Sequence, residues 1–241
     1  MTEVFTAAER PELDRRADVL SAEVWPEYNL HGDVLGAHWR ELAERFPELQ
    51  FVLVEGDEIL AQGHMITFRW DGTIDGLPAG IDDVLLQGLA LQEPPNAASA
   101  LAIEVLPQHQ SSGLAPRMLE EMRALCAAHG LDDLLAPLRP SWKERYPLTP
   151  IERYTAWTRE DGLPFDPWLR VHVRAGGEIL KPIEESMRIT GTVAEWEEWT
   201  GMAFPESGSY VFPQGLAPLE VDREADLGAY WEPNVWVRHR V

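Results

Sequence analysis

The stretch from Ala100 to Gly130 constrains the fold of this chain more than any other. It begins with an apolar run, Leu101–Leu106, which is short and rich in aliphatic residues and therefore predicts a β-strand. Pro107 ends this strand because proline offers no N–H group to a sheet. After the polar loop 108–112, apolar residues recur at helical spacing, at Leu114, Met118, Met122, Leu125 and Cys126. The stretch predicts a strand, a short loop and an amphipathic helix.

The N-terminal end of this helix is a candidate anion site. Pro116 fits only in the first helical turn, and Gly130 stands where glycine commonly closes a helix. The first N–H groups of a helix lack intrahelical partners and attract anions together with the helix dipole. Gly113 lets a phosphate approach the backbone, and Ser111 and Ser112 offer hydroxyl donors. Neither GxxxxGK nor GxGxxG occurs here, so a nucleoside triphosphate or NAD fits poorly.

The loop resembles the Q/R-x-x-G-x-G/A signature of the GNAT superfamily of N-acetyltransferases. The residues that carry the resemblance are Gln110, Ser111, Ser112, Gly113, Leu114 and Ala115. In that family the loop holds the pyrophosphate of acetyl-CoA, so the resemblance implies that these residues bind acetyl-CoA. The motif follows an apolar strand and begins a helix, which makes the match more specific. The similarity extends over roughly residues 101–177. The alternative is a strand–helix turn without a ligand.

Charge and composition limit the possible partners. The formal net charge of −21 argues against nucleic acid or an anionic membrane surface and favours cationic molecules such as amines. No signal peptide and no run approaching 18 apolar residues is found, so we expect a cytoplasmic protein. The single cysteine, Cys126, is predicted to be a buried apolar residue rather than a nucleophile.

The N-terminal third predicts helices followed by a β-hairpin. Thr6 and Glu9 have the spacing of a capping box before a helix that runs to Pro26. Asp33 is a candidate cap for a second helix that ends at Pro47. Two strands, 51–54 and 59–68, flank a Gly-Asp turn. The same order of elements precedes the cofactor strand in GNAT proteins.

The remaining chain predicts an α/β fold, a mixed sheet flanked by helices. Leu134–Leu138 is a second buried strand, parallel to the first, and in the GNAT fold these two strands splay apart to hold the pantetheine arm. Residues 70–96 and 139–166 depart from a compact GNAT-like acyl-CoA N-acyltransferase fold and are predicted to be insertions. Residues 178–241 form an extended C-terminal β region that completes the sheet. We expect one elaborated domain over residues 1–241.

Acetyl transfer to an amine needs a deprotonated nucleophile, a donor for the thioester oxygen and a proton for the leaving thiolate. The resemblance implies that the N–H of Val105 or its neighbour Leu106 serves the thioester oxygen. Glu104 is the acid within an otherwise apolar strand. Burial would raise the pKa of its carboxyl group toward the range useful for a general base, so Glu104 is the candidate base. The alternative is a glutamate that faces solvent or forms a salt bridge.

Two residues are candidate proton donors. Asp166 is a candidate N-cap of a helix that ends at Gly176-Gly177. This helix resembles the last helix of GNAT proteins, which commonly finishes in the pattern Y-x-x-x-G-F. His172 falls where that pattern has tyrosine, and an imidazolium could protonate a thiolate. Tyr146 is the rival because it follows the fifth strand. His172 could equally be a structural histidine bound to a carbonyl.

Other chemistries lack their motifs. The chain has no HExxH, no CxxC and no GxSxG, so neither a metal site nor a serine nucleophile is predicted. Its ten tryptophans could line an acceptor pocket, a core or a homodimer interface. The sequence therefore predicts an acetyl-CoA-dependent N-acyltransferase that acts on a small-molecule amine by direct attack in a ternary complex. The alternative is a non-catalytic GNAT-fold module that binds CoA or a partner protein.

Overall fold

A mixed sheet of nine strands runs through the residues that the computed structural model describes, 2–110 and 112–241. The strands are β1 (Thr2–Thr6), β2 (Gln50–Glu55), β3 (Glu58–Phe68), β4 (Ala97–Val105), β5 (Asp133–Leu138), β6 (Glu178–Gly191), β7 (Gly208–Tyr210), β8 (Leu219–Asp222) and β9 (Leu227–Arg240). The α-helices are α1 (Pro11–Ala17), α2 (Leu20–Val24), α3 (Leu35–Arg45), α4 (Ile81–Ala90), α5 (Leu114–Ala128), α6 (Ile151–Thr155), α7 (Pro167–Arg174) and α8 (Val193–Thr200).

The strand order is β1-β2-β3-β4-β5-β9-β8-β7, and β6 also pairs with β9. Among these pairs only β4 and β5 run parallel, as expected for strands joined by the helix α5. No helix within the described residues combines the length and apolar character needed to cross a membrane.

The parallel pairing of β4 with β5 is short. It covers three residue pairs and ends at Ser99 and Leu135, although both strands continue. On its other side β5 pairs with β9 through Leu138. The predicted splay between the two parallel strands is therefore present, and it leaves the C-terminal half of β4 open on one edge.

Helices cover both faces of the sheet. One face packs against α5 through Met118, Met122 and Cys126, where the sequence predicted the apolar side of the helix. The other face packs against α4 and α8, whose buried side chains include Val84 and Trp196. The predicted mixed sheet flanked by helices is confirmed.

The N-terminal region differs from the expectation. Residues 2–6 form an edge strand that was not predicted, and the predicted first helix is divided into α1 and α2. Thr6 and Glu9 make the reciprocal bonds of a capping box, but α1 begins only at Pro11. Asp33 does not cap α3. Its carboxylate accepts hydrogen bonds from the N–H and hydroxyl of Thr190 instead, at 2.8 and 3.0 Å, because β6 lies close to the start of α3.

Asp166 caps α7 as predicted and also ties that helix to the preceding segment. Its Oδ1 accepts from the N–H groups of Trp168 and Leu169 at 2.9 and 3.1 Å. Its Oδ2 accepts from the N–H of Trp142 and the hydroxyl of Tyr154, both at 2.8 Å. One buried carboxylate thus positions α7, which forms part of the candidate site below.

Replacing Asp166 with alanine should destabilise the fold, because the cap is lost and buried donors are left unpaired. We expect the free energy of unfolding to fall by about 3 kcal/mol. Asp166→Asn keeps one acceptor oxygen and should lose about half as much. Denaturant unfolding of the three proteins measures both values, and equal losses for alanine and asparagine would contradict this role of the carboxylate.

Candidate active site

A cleft of about 800 Å³ opens where β4 and β5 separate. Its lining comes from both strands, from Ala115 in the first turn of α5, from α7, and from α2 and α3. Acidic, basic and aromatic side chains from distant parts of the chain therefore meet in one concave site, which is the usual form of a small-molecule site.

Main-chain donors stand at the α5 end of the cleft. The N–H groups of Gly113, Leu114 and Ala115 have no hydrogen-bond partner among the described residues, as expected for the first turn of a helix. Gly113 has a φ of +83°, in the left-handed region that favours glycine, and the space beside it is open. This end of the cleft can bind an anion through its backbone.

The described polar side chains of the loop, those of Gln110 and Ser112, donate to main-chain carbonyl groups of the protein. The Ser112 hydroxyl donates to the carbonyl of His109, and the Ser112 N–H points to the same oxygen at 3.4 Å. Gln110 donates from Nε2 to the carbonyl of Val105 at 3.2 Å. Ser111 lies outside the described residues. Among the described residues of this loop and the first turn of α5, the N–H groups of residues 113–115 thus remain unpaired and available to a ligand.

Val105 directs its N–H group into the open edge of β4. The neighbouring Leu106 N–H donates to the carbonyl of Leu60 in β3 at 3.2 Å, so Leu106 is already paired. Successive residues of an antiparallel strand point their N–H groups to opposite sides. Val105, which faces Ala61 in the register, therefore points away from β3 and toward the cleft. Of the two predicted donors, the structure leaves Val105 available and excludes Leu106.

Glu104 lies in the cleft and is almost completely buried, with 1% exposure. Its carboxylate accepts from the Ser21 hydroxyl at 2.9 and 3.0 Å, from Trp25 Nε1 at 2.5 Å and from Gln62 Nε2. All three partners act as donors, which suits an ionised carboxylate. No basic side chain of the described residues forms an ion pair with it, so neither alternative from the sequence, solvent exposure or a salt bridge, applies.

His64 lies on the same face of β3 as Gln62 and extends this polar group. Its Nδ1 is 3.1 Å from Gln50 Oε1, and its buried Nε2 has no partner among the described residues. Burial lowers the pKa of His64 below its ordinary value, against the opposing negative charges of Glu104, Asp14 and Asp18. A neutral imidazole thus stands beside the carboxylate in a region of negative potential.

A partly buried ion pair lies in another part of the cleft. Arg139, just after β5, donates from Nε to Glu232 Oε1 at 2.8 Å. Its Nη2 donates to the Tyr28 hydroxyl and the Gln214 carbonyl, at 2.8 and 2.7 Å. Its Nη1 has no partner among the described residues, and both members of the pair line the cleft. Nη1 is therefore free to donate to a ligand.

His172 lines the cleft from α7 but is not cationic. It is buried, with 1% exposure, and its Nδ1 lies 2.9 Å from Nε2 of His239. Burial, with a smaller effect of His239, lowers the pKa of His172 to about 3. The lowered pKa therefore favours a neutral ring over the imidazolium that the sequence led us to expect, and the available donor would be a neutral ring N–H.

Comparisons with known proteins agree with this architecture. No family model matches the chain. The arginine N-acetyltransferase avaD of Aspergillus versicolor is 29% identical over 271 residues, which cover 98% of this chain and 93% of that protein. The loading GNATL domain of CurA from Lyngbya majuscula superposes with a TM-score of 0.68 at 20% identity, over 100% of this chain and 98% of that one. The GphF GNAT-like decarboxylase in complex with isobutyryl-CoA gives 0.64 at 16% identity, over 99% and 98%.

The chain has the GNAT fold and is similar over nearly its full length to an arginine N-acetyltransferase. The splayed strands and the free amides after β4 are the parts of this GNAT fold that the sequence predicted. The partners of Glu104 and the pair formed by Arg139 and Glu232 were missed. A signal existed for Gln62 and His64, because two polar residues alternate within an otherwise apolar strand. No local signal marks Ser21 or Trp25, which reach Glu104 only through the packing of α2.

Two other residues lie away from the GNAT cleft. Tyr146 packs in an aromatic cluster, 5.0 Å from Trp157 and 5.9 Å from Phe165 between ring centres, and does not line the cleft. It is therefore not placed to donate a proton there, which corrects the sequence-based assignment. Cys126 is buried in the core, and burial raises the pKa of its thiol to about 12, so it is no nucleophile at neutral pH.

The free amides at residues 113–115 lead to a prediction for CoA binding. Gly113→Asp places a carboxylate beside these donors and should raise the Kd for CoA about 30-fold or more, because like charges at a protein surface repel by a few kcal/mol. Gly113→Asn is the matched control, since Asn and Asp both tolerate the left-handed region. It should bind CoA much closer to wild type. Isothermal titration measures both, and equal Kd values for the two variants would contradict an electrostatic role of the loop.

Proposed function

We propose that this protein is an acetyl-CoA-dependent N-acetyltransferase that acts on a small cationic amine. The observation that carries the proposal is a single cleft with unpaired main-chain donors at the start of α5 and on β4, and a buried carboxylate beside them. The full-length similarity to an arginine N-acetyltransferase supports it. The alternative of a non-catalytic module is not favoured.

The acyl donor would bind mainly through the backbone. The N–H groups of Gly113, Leu114 and Ala115 would hold the diphosphate, and the open edge of β4 would hold the pantetheine arm. The N–H of Val105 would donate to the thioester oxygen as it gains negative charge. Acetyl-CoA supplies the activated acetyl group and a thiolate as leaving group. Direct attack by the amine is proposed, since the thiol of Cys126 stays protonated.

Glu104 would accept the proton of the attacking ammonium group, directly or through a water molecule. Ser21, Trp25 and Gln62 hold both of its oxygens, so the carboxylate keeps one orientation toward the cleft. Asp18 also lines the cleft, and the net charge of −21 attracts cations over a longer range. His172 would supply a proton to the thiolate through a neutral ring N–H.

The charges of the cleft suit an acceptor with the character of an amino acid. Glu104 and Asp18 would attract its cationic groups. The free Nη1 of Arg139 would bind a carboxylate, because the other guanidinium donors are occupied by Glu232, Tyr28 and the main chain. Arginine, the acceptor named for the Aspergillus relative, carries both kinds of group.

A test of the base is Glu104→Gln, which keeps the size and removes the negative charge. We expect kcat to fall by about 100-fold or more, while the Kd for acetyl-CoA stays within about threefold, because the carboxylate acts on the acceptor. Glu220→Gln, at an exposed position of β8, is the control and should behave like wild type. Amine-dependent release of free thiol gives kcat, and parallel losses in kcat and acetyl-CoA affinity would indicate a structural glutamate instead.

The acceptor proposal is tested by comparing L-arginine with agmatine, which lacks only the carboxylate. We expect kcat/KM to be at least about tenfold higher for arginine, the value of one charge-assisted hydrogen bond. Thiol release at a fixed acetyl-CoA concentration measures both. A preference for agmatine would contradict carboxylate binding by Arg139, and no thiol release with any amine in a wider panel would contradict the proposed activity.

A further inference from the structure

We infer that His172 and His239 form a proton relay that connects the acyl-transfer cleft with a second cavity. The inference rests on the proposed function, because the relay would deliver the proton that the leaving thiolate requires. In this arrangement His172 faces the reaction and His239 is a positioning residue that acts through it.

The two imidazole rings are bonded directly to each other. His172 Nδ1 and His239 Nε2 are 2.9 Å apart, and both residues are 1% exposed. The two remaining nitrogens, Nε2 of His172 and Nδ1 of His239, are buried and have no hydrogen-bond partner among the described residues. Unpaired buried polar atoms are rare in folded proteins, and here one stands at each end of a bonded pair.

Each ring borders a different cavity. His172 lines the cleft between β4 and β5. His239 lines a separate cavity of about 220 Å³ next to the C-terminal end of α7. The other residues of this second cavity are Arg123, Ala175, Gly176, Glu178, Arg238 and Arg240. The bonded pair thus lies between the reaction site and a second polar opening.

Gly177 makes the contact between the rings possible. A Cβ atom at this position would lie 2.7 Å from Cε1 of His239 and 2.7 Å from the carbonyl oxygen of His172. The Gly177 N–H donates to that same carbonyl at 2.8 Å. A side chain here would displace His239 from its partner. The glycine after the end of α7 therefore leaves room for the contact between the two rings.

The relay moves one proton without charging either ring. His172 starts with hydrogen on Nε2, and His239 donates from its own Nε2 to Nδ1 of His172. As the C–S bond of the thioester breaks, Nε2 of His172 gives its proton to the thiolate sulfur and Nδ1 receives the proton of His239. In the same step Nδ1 of His239 takes a proton from hydronium that reaches it from the second cavity, so that neither ring becomes an imidazolate. After the products leave, Nε2 of His172 takes a proton from solvent in the cleft, the Nδ1 proton of His172 returns to Nε2 of His239, and Nδ1 of His239 releases its proton to solvent in the second cavity.

The surroundings favour neutral rings. Burial lowers the pKa of His172 to about 3 and that of His239 to about 4, and the positive charge of Arg123 adds to the effect on His239. The second cavity also presents Arg238 and Arg240, with Glu178 as the acidic group. A transfer between neutral tautomers avoids placing an imidazolium among these groups.

The test compares two variants of His239. His239→Gln keeps a donor near the position of Nε2, so it holds His172 in place but passes no proton. His239→Ala removes both functions and leaves space for free imidazole. We expect kcat to fall about 30-fold or more in both variants with an unchanged Kd for acetyl-CoA, since proton donation contributes about 100-fold or more. Added imidazole should restore kcat in the alanine variant only, and the solvent deuterium isotope effect on kcat should change in the glutamine variant.

A measurement without turnover separates the relay from the proposed activity. Nitrogen-15 NMR of the ligand-free protein should show both rings neutral at pH 7, each with hydrogen on Nε2, and should show the His172 tautomer retained in His239→Gln. His129→Gln, at the exposed end of α5, is the control and should match wild type in every assay. An imidazolium at pH 7, or wild-type kcat and isotope effect in His239→Gln, would overturn the relay. Absence of thiol release in wild type would instead overturn the proposed activity, and the NMR result would stand.

Discussion

The site depends on a parallel ladder that stops after three residue pairs. The physical reason lies in β5. The N–H of Val241 bonds to the carbonyl of Asp132, so the even-numbered residues of β5 direct their main-chain N–H and C=O groups to β9. The odd-numbered residues of β5 direct theirs to β4. The next ladder bond after Leu135 would need an N–H at residue 137, and that residue is proline. Pairing with β9 continues, because that side does not use the missing donor.

This missing bond determines what the cleft offers. The edge of β4 keeps unpaired main-chain groups, among them the N–H of Val105, and the first amides of α5 lie at the end of the same opening. Both sets of donors belong to the backbone and are fixed by secondary structure. Side chains then add specificity, with Glu104 held by three donors and Arg139 held by Glu232. A rigid set of donors of this kind stabilises developing charge without reorganising during the reaction.

The sequence predicted the parts of the site that depend on local order. Strand β4, helix α5, the glycine at 113 and the Asp166 cap follow from periodicity, capping and turn preferences over a few residues. The expectations that failed depend on distant contacts. Asp33 bonds to Thr190 rather than to its own helix, and Tyr146 joins an aromatic cluster rather than the cleft. Local propensity contains no information about which remote residue competes for a side chain.

The sequence alone therefore determined the order of elements and the presence of main-chain donors after an apolar strand. Both follow from local properties, namely the unpaired N–H groups of the first helical turn and the lack of an N–H in proline. Only the tertiary structure decided the state of the reactive side chains. Glu104 is surrounded by donors from α2 and β3, and His172 is kept neutral beside His239, 67 positions away in the chain. Burial and partners set the charge of an ionisable group, and both arise only when distant segments pack together.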